Sequence, residues 1–306
     1  MRLTPWLHMC IGGLVALGSS ALLAAAACPP PGYSVESLRT LKAQKFAVPD
    51  AAQRASLALA LQPCLADPTP ELRDGMAFEA YQQWMRAKLL PTETLRSLSA
   101  NLQAQLPNTA PDAAGYGKPF AALVLAEVAR TDRIAPWMTP AERQQSLSAA
   151  TTYLTALRDY RGFEDTNGWR HGVAHTADWL MQWALNPALD KAQLDQLLQA
   201  IASQVPAHGG HAYVFGEPER LAAPVLHTAR RKLHTPQEWH DWLARTSALP
   251  AGAKAADVFQ SQVLLAWRHN VQAFLQALYV NVALGSDEDL KARLLPGLGD
   301  ALKRLP

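Results

Sequence analysis

The chain has 306 residues, of which 49% are hydrophobic and 18% are charged. This apolar content is too high for a disordered chain, and three cysteines are too few for a small disulfide scaffold. The 28 Lys and Arg residues are nearly balanced by 26 Asp and Glu residues, so the chain lacks the positive surplus that drives nucleic-acid binding. We therefore expect a globular protein with a full hydrophobic core and no nucleic-acid partner.

The first 27 residues are expected to form a secretory signal peptide. Arg2 is the only charged residue among them, and the apolar run from Ile11 to Ala27 ends in four alanines. This run is short for a retained transmembrane anchor, which needs about 20 apolar residues. We therefore predict export to the periplasm, a mature domain that spans residues 28–306, and no membrane span in the mature chain.

Cys28 follows this segment directly and has two alternative fates. Residues 25–28 (Ala-Ala-Ala-Cys) resemble a bacterial lipobox, in which the cysteine becomes lipidated, although Leu is more usual at the position of Ala25. The mature chain contains only Cys28 and Cys64, which is an even number for an oxidising compartment. We favour a disulfide between these two residues, and a lipid anchor at Cys28 is the alternative.

The rest of the chain carries many helix signals and few strand signals. Segments 139–142 (Thr-Pro-Ala-Glu) and 235–238 (Thr-Pro-Gln-Glu) each place a capping hydroxyl, a proline and an acid where a helix begins. Apolar residues recur at the helical period, as in Met76, Ala80 and Trp84. These signals predict helices near residues 34–44, 50–63, 70–88, 92–105, 118–131, 140–158, 168–185, 190–204, 217–232, 236–247, 254–284 and 287–304.

These helices are expected to pack as pairs in a single all-α domain. Helical pairs joined by short turns, at about 35–45 residues a pair, are typical of HEAT and armadillo repeats. No low-complexity linker divides the mature chain. We therefore predict an all-α fold, which is either a HEAT/armadillo-like α-solenoid or a compact α-α bundle.

The densest group of unusual residues lies between Arg158 and Asp178. His171, His175 and Asp178 are four and three residues apart on a helix predicted to begin near Gly168, so their side chains share one face. Two histidines at this spacing recur at zinc and iron sites, and these three residues are candidate ligands of a divalent transition metal. The alternatives are a buried hydrogen-bond network that braces the loop, and metal-free acid–base or ligand-binding work.

A second group of polar residues occupies the loop 206–216 and the start of the helix that follows it. In one interpretation Glu217 and Arg220 form an ion pair within this helix and stabilise its start. In the other, neighbouring helical pairs bring this loop next to His171, and the two loops complete a shared pocket. The candidate binding residues are Glu164, Trp169, His211, Glu217 and Arg220.

Both stretches resemble a bacterial family catalogued as domain of unknown function 2785. The resemblance lies in residues 158–163 (Arg-Asp-Tyr-Arg-Gly-Phe), in the Gly-Trp-x-His-x-x-Ala-His-x-Ala-Asp pattern of residues 168–178, and in residues 216–222. The chain departs from this pattern at Thr176, where a Gly is more usual. The resemblance implies an all-helical fold from about Tyr33 to the last helices, and it implies no established activity or substrate.

The leading hypothesis is an exported protein that binds a ligand or a metal ion in a groove around His171, His175 and Asp178. One alternative is a metal-dependent envelope hydrolase, which activates a metal-bound water. Its remaining ligands would come from His208, His211, Glu217 and Asp165. The other alternative is a helical scaffold that binds a protein or peptide partner, and we leave catalysis open.

Overall fold

The computed structural model describes residues 28–107 and 114–306, and the predicted signal peptide lies outside these residues. Thirteen α-helices and one two-stranded hairpin form most of the regular structure of the described residues, which confirms the all-α prediction. The helices are α1 (Val35–Ala43), α2 (Ala51–Ala60), α3 (Pro70–Leu72), α4 (Glu79–Arg86), α5 (Thr92–Gln105), α6 (Gly117–Ile134), α7 (Pro140–Ala156), α8 (Gly172–Ala184), α9 (Lys191–Gln204), α10 (Glu217–Arg230), α11 (Pro236–Thr246), α12 (Gln262–Ala283) and α13 (Glu288–Arg304). The strands are β1 (Phe163–Glu164) and β2 (Gly168–Trp169).

Three segments depart from regular α-helix. A π-helical segment, Arg73–Phe78, joins α3 to α4, and 3₁₀-helices occupy Gln62–Ala66 and Ala255–Gln260. The helix predicted from residue 254 is therefore divided, because Ser261 caps a new helix by accepting a hydrogen bond from the N–H of Leu264. Within the described residues, none of the helices has the length and apolar character of a membrane span.

The predicted capping boxes are confirmed at α7 and α11. The Thr139 hydroxyl accepts a hydrogen bond from the N–H of Glu142, whose carboxylate accepts one from the N–H of Thr139. Thr235 and Glu238 make the same reciprocal pair at α11. A proline at the first position of each helix has no N–H to leave unsatisfied, so these local signals locate both helix starts.

From α5 onward the helices form two layers. In the first layer α6, α8, α10 and α12 pack side by side. Helix α6 contacts α8, α8 contacts α10, and α10 contacts α12. In the second layer α7 packs between α5 and α9, and α11 packs against α13. This alternation is the expected result of stacking helical pairs. The second layer is interrupted between α9 and α11, which do not pack closely against each other.

One hydrophobic core runs from Leu38 in α1 to Ala301 in α13. Its largest fully buried side chains include four tryptophans, which are Trp84, Trp179, Trp183 and Trp239. The core joins the N-terminal helices to the two layers without a break. The boundary of the mature domain at residue 28 stays a prediction.

The predicted disulfide between Cys28 and Cys64 is present, with the two Cα atoms 5.0 Å apart. Cys64 is fully buried, so the bond fixes the first described residue to the core. In the chain-entropy model, closing a loop of this length stabilises the fold by about 3–4 kcal/mol. A lipid at Cys28 would require the same sulfur atom, so the disulfide and the lipid anchor exclude each other.

The predicted start of α8 near Gly168 is wrong. Gly168 and Trp169 form β2, which pairs with β1 in antiparallel register, and α8 begins at Gly172. Residues 165–167 form the hairpin loop, and Gly168 follows them with a positive φ of 72°, the left-handed conformation that closes a three-residue hairpin loop. His171 is the N-cap residue of α8, just before its first turn. Its backbone is left-handed (φ 57°, ψ 43°), and its side chain makes no capping hydrogen bond.

Candidate functional site

The loop before α8 and the loop before α10 pack against each other. The Tyr160 hydroxyl accepts a hydrogen bond from the N–H of His208 at 2.9 Å, and the Tyr160 ring stacks on His211 with ring centroids 4.7 Å apart. The Phe215 ring fills the space beside Gly162, where a Cβ atom would lie 2.0 Å from it. The structure therefore brings together the two polar stretches that the sequence singled out.

Two fully buried amides hold these loops in place. Gln204, at the end of α9, donates hydrogen bonds to two carbonyls at the C-terminal end of α7, at 2.6 and 3.0 Å. Asn270, in α12, accepts a hydrogen bond from the N–H of Tyr213 at 2.8 Å. It also donates to two carbonyls of the loop before α10, at 3.1 and 2.8 Å. Neither amide belongs to one of the candidate site motifs of the sequence.

His171 lies where the two loops meet. Its ring stacks on Trp169, with centroids 4.7 Å apart. Its Nε2 atom is buried, has no hydrogen-bond partner, and lies 3.8 Å from Oε1 of Glu217. The other carboxylate oxygen of Glu217 accepts the N–H of Phe215 at 2.9 Å.

Burial favours the neutral forms of both His171 and Glu217. It lowers the pKa of His171 to about 4, and the nearby charge of Arg220 acts in the same direction. Burial also raises the pKa of the Glu217 carboxyl above its ordinary value. At neutral pH the unpartnered nitrogen of an uncharged imidazole therefore faces a carboxyl group that is costly to ionise.

His175 lies one turn further along α8 and is also buried. Its Nδ1 atom is 3.1 Å from the carbonyl oxygen of Pro119, and its ring packs edge-on against Phe120 at 5.2 Å. Burial lowers its pKa to about 3, so the ring is neutral and Nδ1 is the nitrogen that donates. The rings of His171 and His175 are 6.0 Å apart.

Asp178 forms an ion pair with Arg220, which links α8 to α10. Nε of Arg220 donates to Oδ1 of Asp178 at 3.0 Å, and Nη2 donates to the second oxygen. Burial raises the pKa of Asp178, and the charge of Arg220 opposes this change. Arg220 pairs with Asp178 and not with Glu217, so the predicted ion pair within α10 is wrong.

The three predicted metal ligands lie close together, but two of them already interact with other groups of the protein. His171 and His175 are neighbours, whereas both oxygens of Asp178 face a guanidinium. Across residues 28–107 and 114–306, no group of three or more His, Cys, Asp or Glu side chains is arranged to hold a metal ion. The assignment of His171, His175 and Asp178 as metal ligands stays a prediction.

Buried arginines brace the hairpin that carries Trp169. Glu164 pairs with Arg170 at 2.7 Å, and the guanidinium of Arg170 lies 4.4 Å from the ring centroid of Tyr116. Arg73, from the π-helical segment, lies 4.0 Å from the same ring centroid and donates to the carbonyl of Asn167 at 2.8 Å. Glu164 therefore stabilises the hairpin through its ion pair with Arg170, and the cation–π contacts of Arg170 and Arg73 with Tyr116 add to this.

A groove with a volume of about 870 Å³ opens between α9 and α11, where the second layer is interrupted. Trp239, Trp242 and Trp267 line it, together with residues 206–210 of the loop before α10. None of His171, His175 and Asp178 lines this groove, whereas His208 does. The charged residues along it are Lys191, Asp195, Glu238, Asp241 and Arg245.

An ion-pair network links α9 to α11 along this groove. The Lys191 amine lies 3.1 Å from Asp195 and 3.0 Å from Glu238, so it joins α9 to α11. The Nε2 atom of His234 lies 2.7 Å from Asp195. Arg245 has no ion pair with any described residue, so its charge is available to a ligand.

Comparisons with known proteins bear on the family of this chain. A family model described as a protein of unknown function (DUF2785) matches residues 102–280, which is more than half of the chain. The match includes both loops and the groove, and it begins later than the resemblance expected from Tyr33. Neither a curated protein nor a solved structure matches the chain. The chain belongs to the DUF2785 family of proteins of unknown function.

Proposed function

We propose that this protein binds a small, neutral, polar ligand of the saccharide class in the groove between α9 and α11. The observation that carries the proposal is the groove itself. Its volume of about 870 Å³ lies within the range of roughly 300–1,000 Å³ that is typical of small-molecule sites. It also combines aromatic side chains with a few polar groups, as such sites do.

The charges along the groove favour a neutral ligand. Three carboxylates face two cations, so an anionic ligand would meet an excess of negative charge. A cationic ligand would meet Arg245, whose charge no described acid neutralises. Saccharide hydroxyls both donate and accept hydrogen bonds, and they suit a rim that offers carboxylate acceptors and guanidinium donors.

Isothermal titration calorimetry with maltotriose, cellotriose and chitotriose tests this proposal. We expect at least one trisaccharide to bind with a dissociation constant below about 1 mM. Arg245→Gln and Asp241→Asn should each weaken this binding about three- to tenfold, which is the loss of one hydrogen bond. Arg130→Gln, outside the groove, is the matched control and should leave the affinity unchanged.

Two results would overturn the saccharide assignment. One is the absence of binding by all three trisaccharides. The other is tighter binding of an uncharged tripeptide in the same titration, because a peptide in this groove would support the scaffold hypothesis. If a trisaccharide binds but Arg245→Gln and Asp241→Asn leave the affinity unchanged, the binding site lies elsewhere and the groove is excluded.

A metal-dependent hydrolase centred on His171 is the second hypothesis. One observation favours it: the buried Nε2 atom of His171 has no partner and lies 3.8 Å from Oε1 of Glu217. An imidazole nitrogen and a carboxylate oxygen at this separation need only a small closure to share a cation. Elemental analysis, described in the Discussion, tests this hypothesis separately from the groove.

We also propose that the protein is exported, with residues 1–27 removed as a signal peptide. Supporting this are the apolar composition of that segment and the Cys28–Cys64 disulfide, since disulfides persist in oxidising compartments. Intact mass spectrometry of the protein from the envelope fraction should give the mass of residues 28–306 with one disulfide. A diacylglyceryl adduct would support the lipid anchor at Cys28, and a retained first segment would refute cleavage.

A further inference from the structure

A second pocket lies at the junction of α4, α5 and α6. Its volume is about 370 Å³, and it is formed by the end of α4, the turn into α5 and the segment that follows α6. Met85, Leu90 and Leu95 supply buried apolar surface. Ile134 and Trp137 form its outer wall, and Ile134 is 48% exposed. A large aliphatic side chain is therefore left partly uncovered beside an apolar cavity.

The charges around this pocket have one sign. Among the described residues that line it, the charged ones are Arg86, Lys88 and Arg130, and none is acidic. Arg86 is neutralised by Glu127, which lies 2.5 Å away. Lys88 and Arg130 have no ion pair with any described residue. Two uncompensated cations thus stand at the rim of an apolar cavity.

We propose that this pocket binds an anionic amphiphile, in which a single alkyl chain ends in a carboxylate. The alkyl chain would cover the apolar wall and remove Ile134 from water, which is the main favourable contribution expected from such a surface. The carboxylate would lie between Lys88 and Arg130. This site is separate from the groove between α9 and α11, with which it shares no lining residue.

The apolar wall of the pocket and its two cations favour different parts of a ligand. A neutral alcohol of the same chain length satisfies the apolar wall but leaves both cations without a partner. A quaternary ammonium with the same chain places a third positive charge beside them, which is unfavourable. A short free anion such as acetate satisfies the cations but leaves the wall exposed. Only a ligand with both parts is expected to bind well.

Calorimetric titration with octanoate, 1-octanol, octyltrimethylammonium and acetate tests these demands on the full protein. We expect octanoate to bind with one site per chain, at least fivefold more tightly than 1-octanol, with no measurable binding of the other two. The double variant Lys88→Gln plus Arg130→Gln should bind octanoate about fivefold to tenfold more weakly. It should bind 1-octanol as the wild type does.

Two further variants separate the alkyl contribution from non-specific effects. Ile134→Gln changes a half-exposed side chain and should weaken octanoate and 1-octanol alike. Lys303→Gln, an exposed residue of α13 that lines neither pocket, is the charge-matched control and should change neither. Equal affinities for octanoate and 1-octanol would overturn the proposal, as would an unchanged octanoate affinity in the double variant. Binding to phosphatidylglycerol vesicles without binding to monomeric octanoate would overturn it in favour of a membrane surface.

Discussion

Replacing Gln204 with Leu tests how the two loops of the candidate site are held. Gln204 is fully buried at the end of α9, and its side chain bridges α7, the loop before α8 and the loop before α10. Leu has nearly the same volume as Gln, so the substitution removes the hydrogen bonds without opening a large cavity. We expect the variant to fold and to be markedly less stable.

The magnitude follows from the three hydrogen bonds that this side-chain amide makes. It donates to two backbone carbonyls at 2.6 and 3.0 Å. It accepts from the hydroxyl of Tyr160 at 3.2 Å, whereas the Tyr213 hydroxyl gives its one proton to the backbone carbonyl of Gln204 at 2.8 Å. Each neutral hydrogen bond contributes about 1 kcal/mol. The free energy of unfolding should therefore fall by about 3 kcal/mol.

Urea denaturation followed by far-ultraviolet circular dichroism measures this change. The matched control is Gln199→Leu, which replaces the same residue type on the exposed side of the same helix and should change the free energy of unfolding by less than about 0.5 kcal/mol. A loss below about 1 kcal/mol in Gln204→Leu would refute the role assigned to this amide. So would an equal loss in both variants.

Three further predictions concern the buried histidines and the ion pair. Folding lowers the pKa of His171 to about 4 and that of His175 to about 3, so below about pH 6.5 the unfolded chain binds more protons than the folded chain. The urea midpoint of the wild type should therefore fall as the pH is lowered from about 6.5 towards about 4. This fall should be less steep in His175→Phe. Arg220→Met leaves Asp178 without its cation. Because burial raises the pKa of Asp178, the loss of unfolding free energy should be about 1–2 kcal/mol at pH 7 and smaller at pH 4. A loss that does not depend on pH would contradict this origin. If His171 and His175 bind a metal ion, elemental analysis of untagged protein should find stoichiometric zinc, iron or manganese. The double variant His171→Ala plus His175→Ala should fold and lack this metal. Metal-free wild-type protein would refute the metal hypothesis.

Helix starts were predictable wherever a local signal determines them. At α7 and α11 the threonine, proline and glutamate that form each capping box lie within four residues, so sequence and structure agree. At α8 the spacing of His171, His175 and Asp178 indicated a helix from Gly168. In the structure Gly168 instead closes the hairpin loop and pairs with Glu164 across the two strands, so the helix begins four residues later.

The contacts that complete the candidate site could not be predicted, because they join residues far apart in the chain. Arg73 reaches the carbonyl of Asn167 across 94 residues, and Arg220 reaches Asp178 across 42. Local periodicity favours partners three or four positions away, which is why Glu217 was expected as the partner of Arg220. The groove is harder still to predict, since it arises from packing that is missing between α9 and α11.

The polar cluster around His171 and the groove are joined by one segment of chain. Residues 206–210 line the groove, and the same loop ends at Glu217, beside His171. Between these ends the loop is fixed by the hydroxyl of Tyr160, which accepts the N–H of His208, and by the buried amide of Asn270. The loop before α8 therefore supports one wall of the groove without lining it. A side chain such as Tyr160 can thus affect ligand binding through the position of residues 206–210, and the densest polar stretch of the sequence need not itself contact the ligand.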